Sequence, residues 1–209
     1  MAALELISEG GQTAATVRAI ADRAGVTPGL IRHYFQTKED LTRAAYQAVM
    51  EGMTDANLSA LEAAHQNPSA RLAAFVAASL RPPIMNPGSM GLWAGFIHMV
   101  RRDPAMREVH ERTYLRYRDL LQGLIADLPG TNDPVRLRAQ AIACNGIIDG
   151  LWLEGCALIE AFGPDELAQI GVTSVGAILG IELSSHLLAP TLETASNPNP
   201  AIVIPKDLT

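Results

Sequence analysis

The chain is poor in the residues that build crosslinked, metal-bound or aromatic-rich proteins. Among 209 residues there are two cysteines, Cys144 and Cys156. Sharing one helical stretch, they would lie about 18 Å apart at 1.5 Å per residue, too far for a disulfide, and they read as core thiols of a reducing compartment. His98 and His110 lack the i,i+4 spacing of a helical metal pair, so no zinc site is expected. No apolar run approaches the about 18 residues of a membrane span, and no basic segment precedes the short apolar patch at the start. Neither a span nor a signal peptide is therefore expected, and the protein reads as cytoplasmic. Charged residues make up only 18% of the chain, with a net charge of −6, so bulk positive charge cannot draw it to nucleic acid. There is no nucleophile–base pair, carboxylate pair or phosphate loop at useful spacing, and no cofactor motif. An enzyme is not expected.

What the sequence does have is helical periodicity, with no alternating strand run. Nearly half of it is hydrophobic, enough to bury a sizeable core. The expected class is all-α: a three-helix N-terminal head over residues 1–46, a helical body over 47–189, and a loosely ordered, proline-bearing tail over 190–209. Within the head, Thr16 can cap a helix whose apolar positions Val17, Ile20, Ala21 and Ala24 recur at helical spacing, and Gly25 supplies the left-handed turn that ends it. Thr27 followed by Pro28 restarts a second helix at once. Thr37, with Asp40 at the capping-box position, opens a long helix from Lys38 to about Ala63. Such a helix–glycine–helix unit is a helix-turn-helix, although capped helix pairs also occur in all-α proteins that never meet DNA.

Around the axis of the second helix, Leu30, Ile31 and Tyr34 fall together on the expected buried arc, with Tyr34 at its edge. Pro28, Gly29, Arg32 and His33 share the opposite arc. That outer face suits close approach to a groove, with Arg32 on a guanine edge or a phosphate and Thr27 and the Gly29 backbone near the sugar-phosphate. The Tyr34 hydroxyl suits a phosphate. Lys38, at a helix N-terminus, is badly placed for its own dipole and better used on an external anion. Arg18, Arg23, Arg32, Lys38 and Arg43 are balanced by Glu5, Glu9, Asp22, Glu39 and Asp40. DNA affinity must then come from the placement of charge.

The run Ala19 to Leu41 closely resembles the DNA-binding head of the tetracycline-repressor family, and the match covers about residues 4 to 46. The resemblance implies that Thr16, Arg18, Thr27, Pro28, Gly29, Arg32, His33, Tyr34 and Lys38 face double-stranded operator DNA, with Arg18 the foremost base reader outside the recognition helix. Such proteins usually carry a longer, often basic first helix and arm. Here Glu5 and Glu9 stand in that helix, and the expectation is a late start or a missing arm.

Beyond the head, the pattern predicts a segment opened by Ser69 and running Arg71 to Leu80, then a loop from Arg81 to Ser89. A buried central helix over Leu92 to Val100 follows, then an amphipathic helix from Asp103-Pro104 to about Leu128. Two final helices are expected near 134–161 and 165–188. Asn145, Asp149, Trp152 and Cys156 form one stripe on an otherwise apolar helix. A carboxylate there needs a partner. A neighbouring side chain such as Arg101 would serve, as would a cation held by Asp149 and the faces of Trp93, Phe96 or Trp152; those rings could equally fill core. The stretches around Leu92–Phe96, Asp103-Pro104 and Ile148–Leu153 resemble the ligand domain of choline-responsive repressors in the same family. That resemblance implies a quaternary ammonium effector.

A single recognition helix reads few base pairs, so a two-fold dimer on a palindromic site is expected. Ile170 to Leu188, apolar but for Glu182, suits self-association through the last two helices, or an ordinary core position. The reading is a homodimeric repressor released by a small molecule. A rival is a sensor with weak or lost DNA binding that acts through a protein partner.

Overall fold

Thr16, Thr27, Thr37 and Asp103 cap their helices as the sequence suggests, whereas the helix expected to open at Ser69 is capped by Asn67, in the computed structural model, which describes residues 2–64, 66–130 and 133–187. The expected tail over 190–209 lies outside the described residues. The helices are α1 (Ala2–Ala14), α2 (Val17–Ala24), α3 (Pro28–Tyr34), α4 (Lys38–Ala63), α5 (Pro68–Ser79), α6 (Pro87–Val100), α7 (Pro104–Ala126), α8 (Pro134–Ala157) and α9 (Glu166–Leu179). No strand occurs among the described residues. Five of these helices begin on proline directly after a capping Thr, Asn or Asp. Proline's fixed φ suits the first helical position, and its missing N–H is one that would go unpaired there anyway.

In the head, Thr16 accepts from the Ala19 amide at 3.1 Å and Thr27 from the Leu30 amide at 3.2 Å. Gly25 closes α2 with φ 68°. Thr37 and Asp40 make the full reciprocal capping box, so α4 opens after a three-residue link from α3. At 26 residues, α4 runs unbroken for about 39 Å, from the head into the body.

Two cores lie along it. One is built around Leu72, Phe75, Val76, Leu121, Ile125, Val172 and Val175, from α5, α7 and α9, all fully buried. Each such side chain contributes about 1.5–3 kcal/mol relative to exposure. The other joins Leu4, Ile7, Ile20, Ile31, Leu41 and Tyr46 of α1–α4 to Phe96 of α6 and Met106 and Val109 of α7. The head is thus packed directly onto the body, α1 on α6 and α4 on α7.

Several expected boundaries move. The loop from Arg81 ends earlier than Ser89, because Asn86 accepts from the Ser89 amide and donates to Pro83 O, turning Pro87-Gly88 from a breaker into a first helical turn. Helix α6 is not wholly buried: Phe96 is 1% exposed but Trp93 is 37% exposed, since one side of α6 fronts a cavity. Helix α8 stops at Ala157. Helix α9 stops at Leu179, where Gly180 takes φ 73° and its amide reaches back to the Ala177 and Gly176 carbonyls. The stretch expected to continue as helix holds only a short 3-10 turn, Ser184–His186.

Candidate functional site

The sequence-predicted head residues lie on α2, α3, their N-caps and the first residue of α4. Thr16, Arg18, Thr27, Gly29, Arg32, His33 and Tyr34 are exposed, and Pro28 and Lys38 half-buried. Helix α3 differs from expectation on its inner side: Ile31 alone is buried, while Leu30 is 45% and Tyr34 52% exposed. A seven-residue helix resting mainly on α2 covers only one direction. His33 and Tyr34 meet edge to face with ring centres 5.2 Å apart.

Charge placement resolves the apparent neutrality of the head. Glu9 and Glu5 of α1 hold Arg23 at 2.8 and 3.3 Å. The hydrogen bond from Arg23 lowers the Glu9 pKa. Arg43 bridges Asp40 to Asp103, the N-cap of α7, at 2.8 Å from the latter. Three of the five head acids are therefore engaged with Arg23 and Arg43. Arg18 and Arg32 form no ion pair among the described residues.

In the body, a cavity of about 110 Å³ lies between α4, α6, α7, α8 and the end of α5. All four ligand candidates, Trp93, Phe96, Asp149 and Trp152, line it. The two tryptophans stand edge to face, 6.5 Å between centres, and the Trp152 indole N–H donates to Ile84 O at 3.2 Å. Arg101 is not the partner of Asp149. Tyr114 donates its hydroxyl proton to Asp149 Oδ2 at 2.5 Å, and Asn145 donates to the same oxygen at 2.8 Å. Both donors are neutral, and among the described residues no Lys or Arg lines the cavity. Burial pushes the Asp149 pKa up, against the pull of those two hydrogen bonds. Burial also raises Tyr114, to about 12.

The remaining wall was not foreseen. Tyr46 of α4 and His110, Tyr114 and Tyr117 of α7 also line the space, with Asn57 and Ser79. His110 stacks on both Tyr46 and Tyr114 at 28°, and its Nδ1 lies 2.6 Å from the Tyr46 hydroxyl. Burial lowers the His110 pKa. Ser79 donates to Asn57 Oδ1 at 2.9 Å and lies 2.8 Å from the Tyr117 hydroxyl. The spacing 110–114–117 was the available signal: it repeats the 4,3 stripe of 145–149–152 on the facing helix. Cys156, last of that α8 stripe, is buried but does not line the cavity, and burial raises its thiol pKa.

Outside the cavity, α8 and α9 leave a row of small and apolar residues uncovered. Val135, Ile142 and Leu153 are 78, 43 and 40% exposed, and Gly146 and Gly150 between them meet no neighbouring atom within 4 Å of a built Cβ. By contrast, a Cβ on Gly155 would collide with Met85 and Leu167. On α9, Leu167, Val172 and Val175 enter the core while Ile170 is 41% exposed.

No helix among the described residues is long and apolar enough to cross a membrane. Residues 1–45 match the family of bacterial regulatory proteins named tetR, and residues 68–180 match the C-terminal domain of BetI-type transcriptional repressors. The HTH-type transcriptional regulator BetI of Burkholderia thailandensis is 31% identical over 154 residues, covering 74% of this chain and 77% of that protein. A crystal structure from Pseudomonas aeruginosa PAO1, assigned as a transcriptional regulator, superposes with a TM-score of 0.77 at 31% identity, covering 88% of each chain. A Saccharomonospora viridis protein of the same assignment, crystallised in complex with choline, shares the fold at a TM-score of 0.65 and 17% identity, over 86% of this chain and 92% of that one. The chain belongs to the tetR family of bacterial regulatory proteins, in its BetI-type branch, and is a DNA-binding, dimerising transcription regulator rather than an enzyme.

Proposed function

We propose that this regulator is a repressor that a small quaternary ammonium cation, choline or a close analogue, releases from a palindromic operator. The observation that carries this reading is Asp149: a carboxylate facing a cavity walled by Trp93, Phe96, Tyr114 and Trp152, with only neutral hydrogen-bond partners. An ionised carboxylate there is short of a counter-charge, and a cation that sheds little hydration gains both Coulomb attraction and ring-face contact. The choline complex of the Saccharomonospora viridis protein supports the same class of ligand.

The division of labour follows. Residues 1–46 act as the DNA-binding unit and 47–189 as the ligand and dimerisation unit. Thr16, Arg18, Thr27, Pro28, Gly29, Arg32, His33, Tyr34 and Lys38 face the duplex. Two copies join through α8 and α9, whose open row of Ile142, Gly146, Gly150 and Leu153 supports helix–helix contact. Release requires the cation to bind the DNA-free arrangement more tightly than the DNA-bound one. Helix α4, common to head and cavity, is the rigid element between them. The protein works in the cytoplasm, where its operator is.

Calorimetry with choline and with 3,3-dimethylbutanol, its uncharged carbon isostere, tests the cavity. Choline alone should bind, and binding to its own upstream DNA at about 50 and 200 mM salt should weaken when choline is added. Equal affinity for both compounds, or none for either, overturns the cation site.

A further inference from the structure

We propose that Leu30 reads the C5-methyl group of a thymine in the operator, making it a base-specificity residue alongside the cationic ones. The proposal rests on α3 lying in the major groove. An exposed leucine alone would mean little, since folded proteins expose many apolar atoms. Its setting is what carries the inference. With Ile31 as the single buried direction of α3, steps of about 100° put Gly29 and His33 within about 20° of the outermost line, Arg32 on one shoulder and Leu30 on the other.

Gly29 gives the second, independent observation. It is helical, its φ is not in the left-handed region, and a Cβ on it would meet only Thr27 Oγ1 at 3.8 Å. Nothing in the fold requires glycine there, and alanine would suit a helix better by about 2–5-fold in local equilibrium. A missing side chain at the outermost point of the helix fits a surface that must approach it closely from outside. That surface is polyanionic by charge complementarity, because Arg18 and Arg32 are left without acidic partners while Glu5, Glu9 and Asp40 are taken up by Arg23 and Arg43.

With the backbone of α3 close to the base edges, the branched side chain of Leu30, 45% exposed in the free protein, reaches base edges on the side of the helix opposite Arg32. The one methyl group that base edges present in the major groove is that of thymine; the other positions are hydrogen-bond donors or acceptors that leucine would leave unsatisfied, or bare C–H edges that offer it less apolar surface. Leu30 therefore prefers T·A over the other pairs, while Arg32 takes guanine or phosphate.

The test uses the full-length protein. Duplexes are selected from a random-sequence library, and each thymine of the winning site is then replaced singly by deoxyuridine, which removes only the methyl. One thymine per half-site should cost about fourfold in affinity, the value of burying a single methyl group. Leu30→Ala should bind the thymine site more weakly and no longer distinguish it from the uracil site. Arg32→Ala, weakened through a different contact, should keep that distinction. If no thymine is sensitive, or Leu30→Ala keeps the wild-type thymine-to-uracil ratio, Leu30 is not the reader. If the library yields no preferred sequence at all, the placement of α3 in the groove falls, and this inference with it.

Discussion

The Tyr46 hydroxyl lies 2.6 Å from His110 Nδ1, joining the helix that leaves the DNA-binding head to the helix that walls the cavity. Tyr46 is 2% exposed, and its ring also packs on Phe96 at 4.7 Å. His110 in turn stacks on Tyr114, whose hydroxyl bonds Asp149. An unbroken run of contacts therefore links the carboxylate to α4 through the rings of Tyr114 and His110.

Tyr46→Phe keeps the ring and removes the bond. It should cost about 0.5–1.5 kcal/mol of stability, the net value of one hydrogen bond, because His110 is only half-buried. Operator and cation should each still bind, but the factor by which one weakens the other should fall toward unity. Measuring operator affinity with and without choline, in both proteins, gives that factor, and an unchanged ratio would remove this pair from the coupling.

Asp149→Asn should separate stability from function. Because the folded-state pKa of Asp149 is raised, the folded chain holds its proton more tightly than the unfolded one. Its stabilising contribution is full below the unfolded value and is lost as pH rises through the folded value. At neutral pH the ionised carboxylate is therefore a net cost to the free protein. The Asn variant should melt higher without ligand, bind choline at least about tenfold more weakly, and lack the fall in choline affinity on acidification that is expected of the wild type. Melting curves and calorimetry at several pH values check all three.

The chain's two tryptophans both face the cavity. Intrinsic fluorescence should therefore change saturably as choline is titrated in, and the change should vanish in Asp149→Asn. A flat titration beside a calorimetric signal would place the cation elsewhere.

Arg32→Ala and Tyr34→Phe should weaken operator binding while leaving choline affinity within error. Arg32→Ala should lower the slope of log affinity against log salt by about one if its contact is to phosphate, and relax the preference for guanine if it is to a base. Unaltered operator affinity in both variants would argue against the groove placement.

Gly146→Leu should disrupt the dimer without unfolding the subunit, because nothing among the described residues beyond its own helix backbone lies within 4 Å of a Cβ there. Light scattering should show a shift toward monomer with helical circular dichroism retained, and operator affinity should fall with it. A variant that stays fully dimeric would move the interface off this face of α8.

How much was legible in the sequence depended on range. Thr16, Thr27, Thr37 with Asp40 and Gly25 mark helix ends through bonds spanning a few residues, so they could be read directly. Asn86 misled, because Pro-Gly signals a loop unless a cap precedes it. Gly180 was read past, because an apolar run continues beyond it although a left-handed turn ends the helix there. Leu30 and Tyr34 were assigned inward by helical spacing, yet spacing fixes only directions around an axis. How wide an arc a neighbour covers is decided by what packs there, and α3 is covered over Ile31 alone.

The sequence by itself determined the all-α character, the approximate starts of α2 to α5 and α7 to α9, the helix-turn-helix with its outward Arg32 and His33, and the stripe that puts Asp149 and Trp152 on one face. Caps, prolines and periodicity act within a turn or two of chain, where few alternatives compete. The tertiary structure alone decided which charges are cancelled and which are left for a partner, since Arg23 finds Glu5 and Glu9 on another helix and Arg43 reaches Asp103 sixty residues away. It also decided that Tyr46, Ser79, His110, Tyr114 and Asp149 enclose one space. Those residues come from four helices, and their meeting is set by how the cores pack α4, α5, α7 and α8 together, a balance of buried surface that no local pattern encodes.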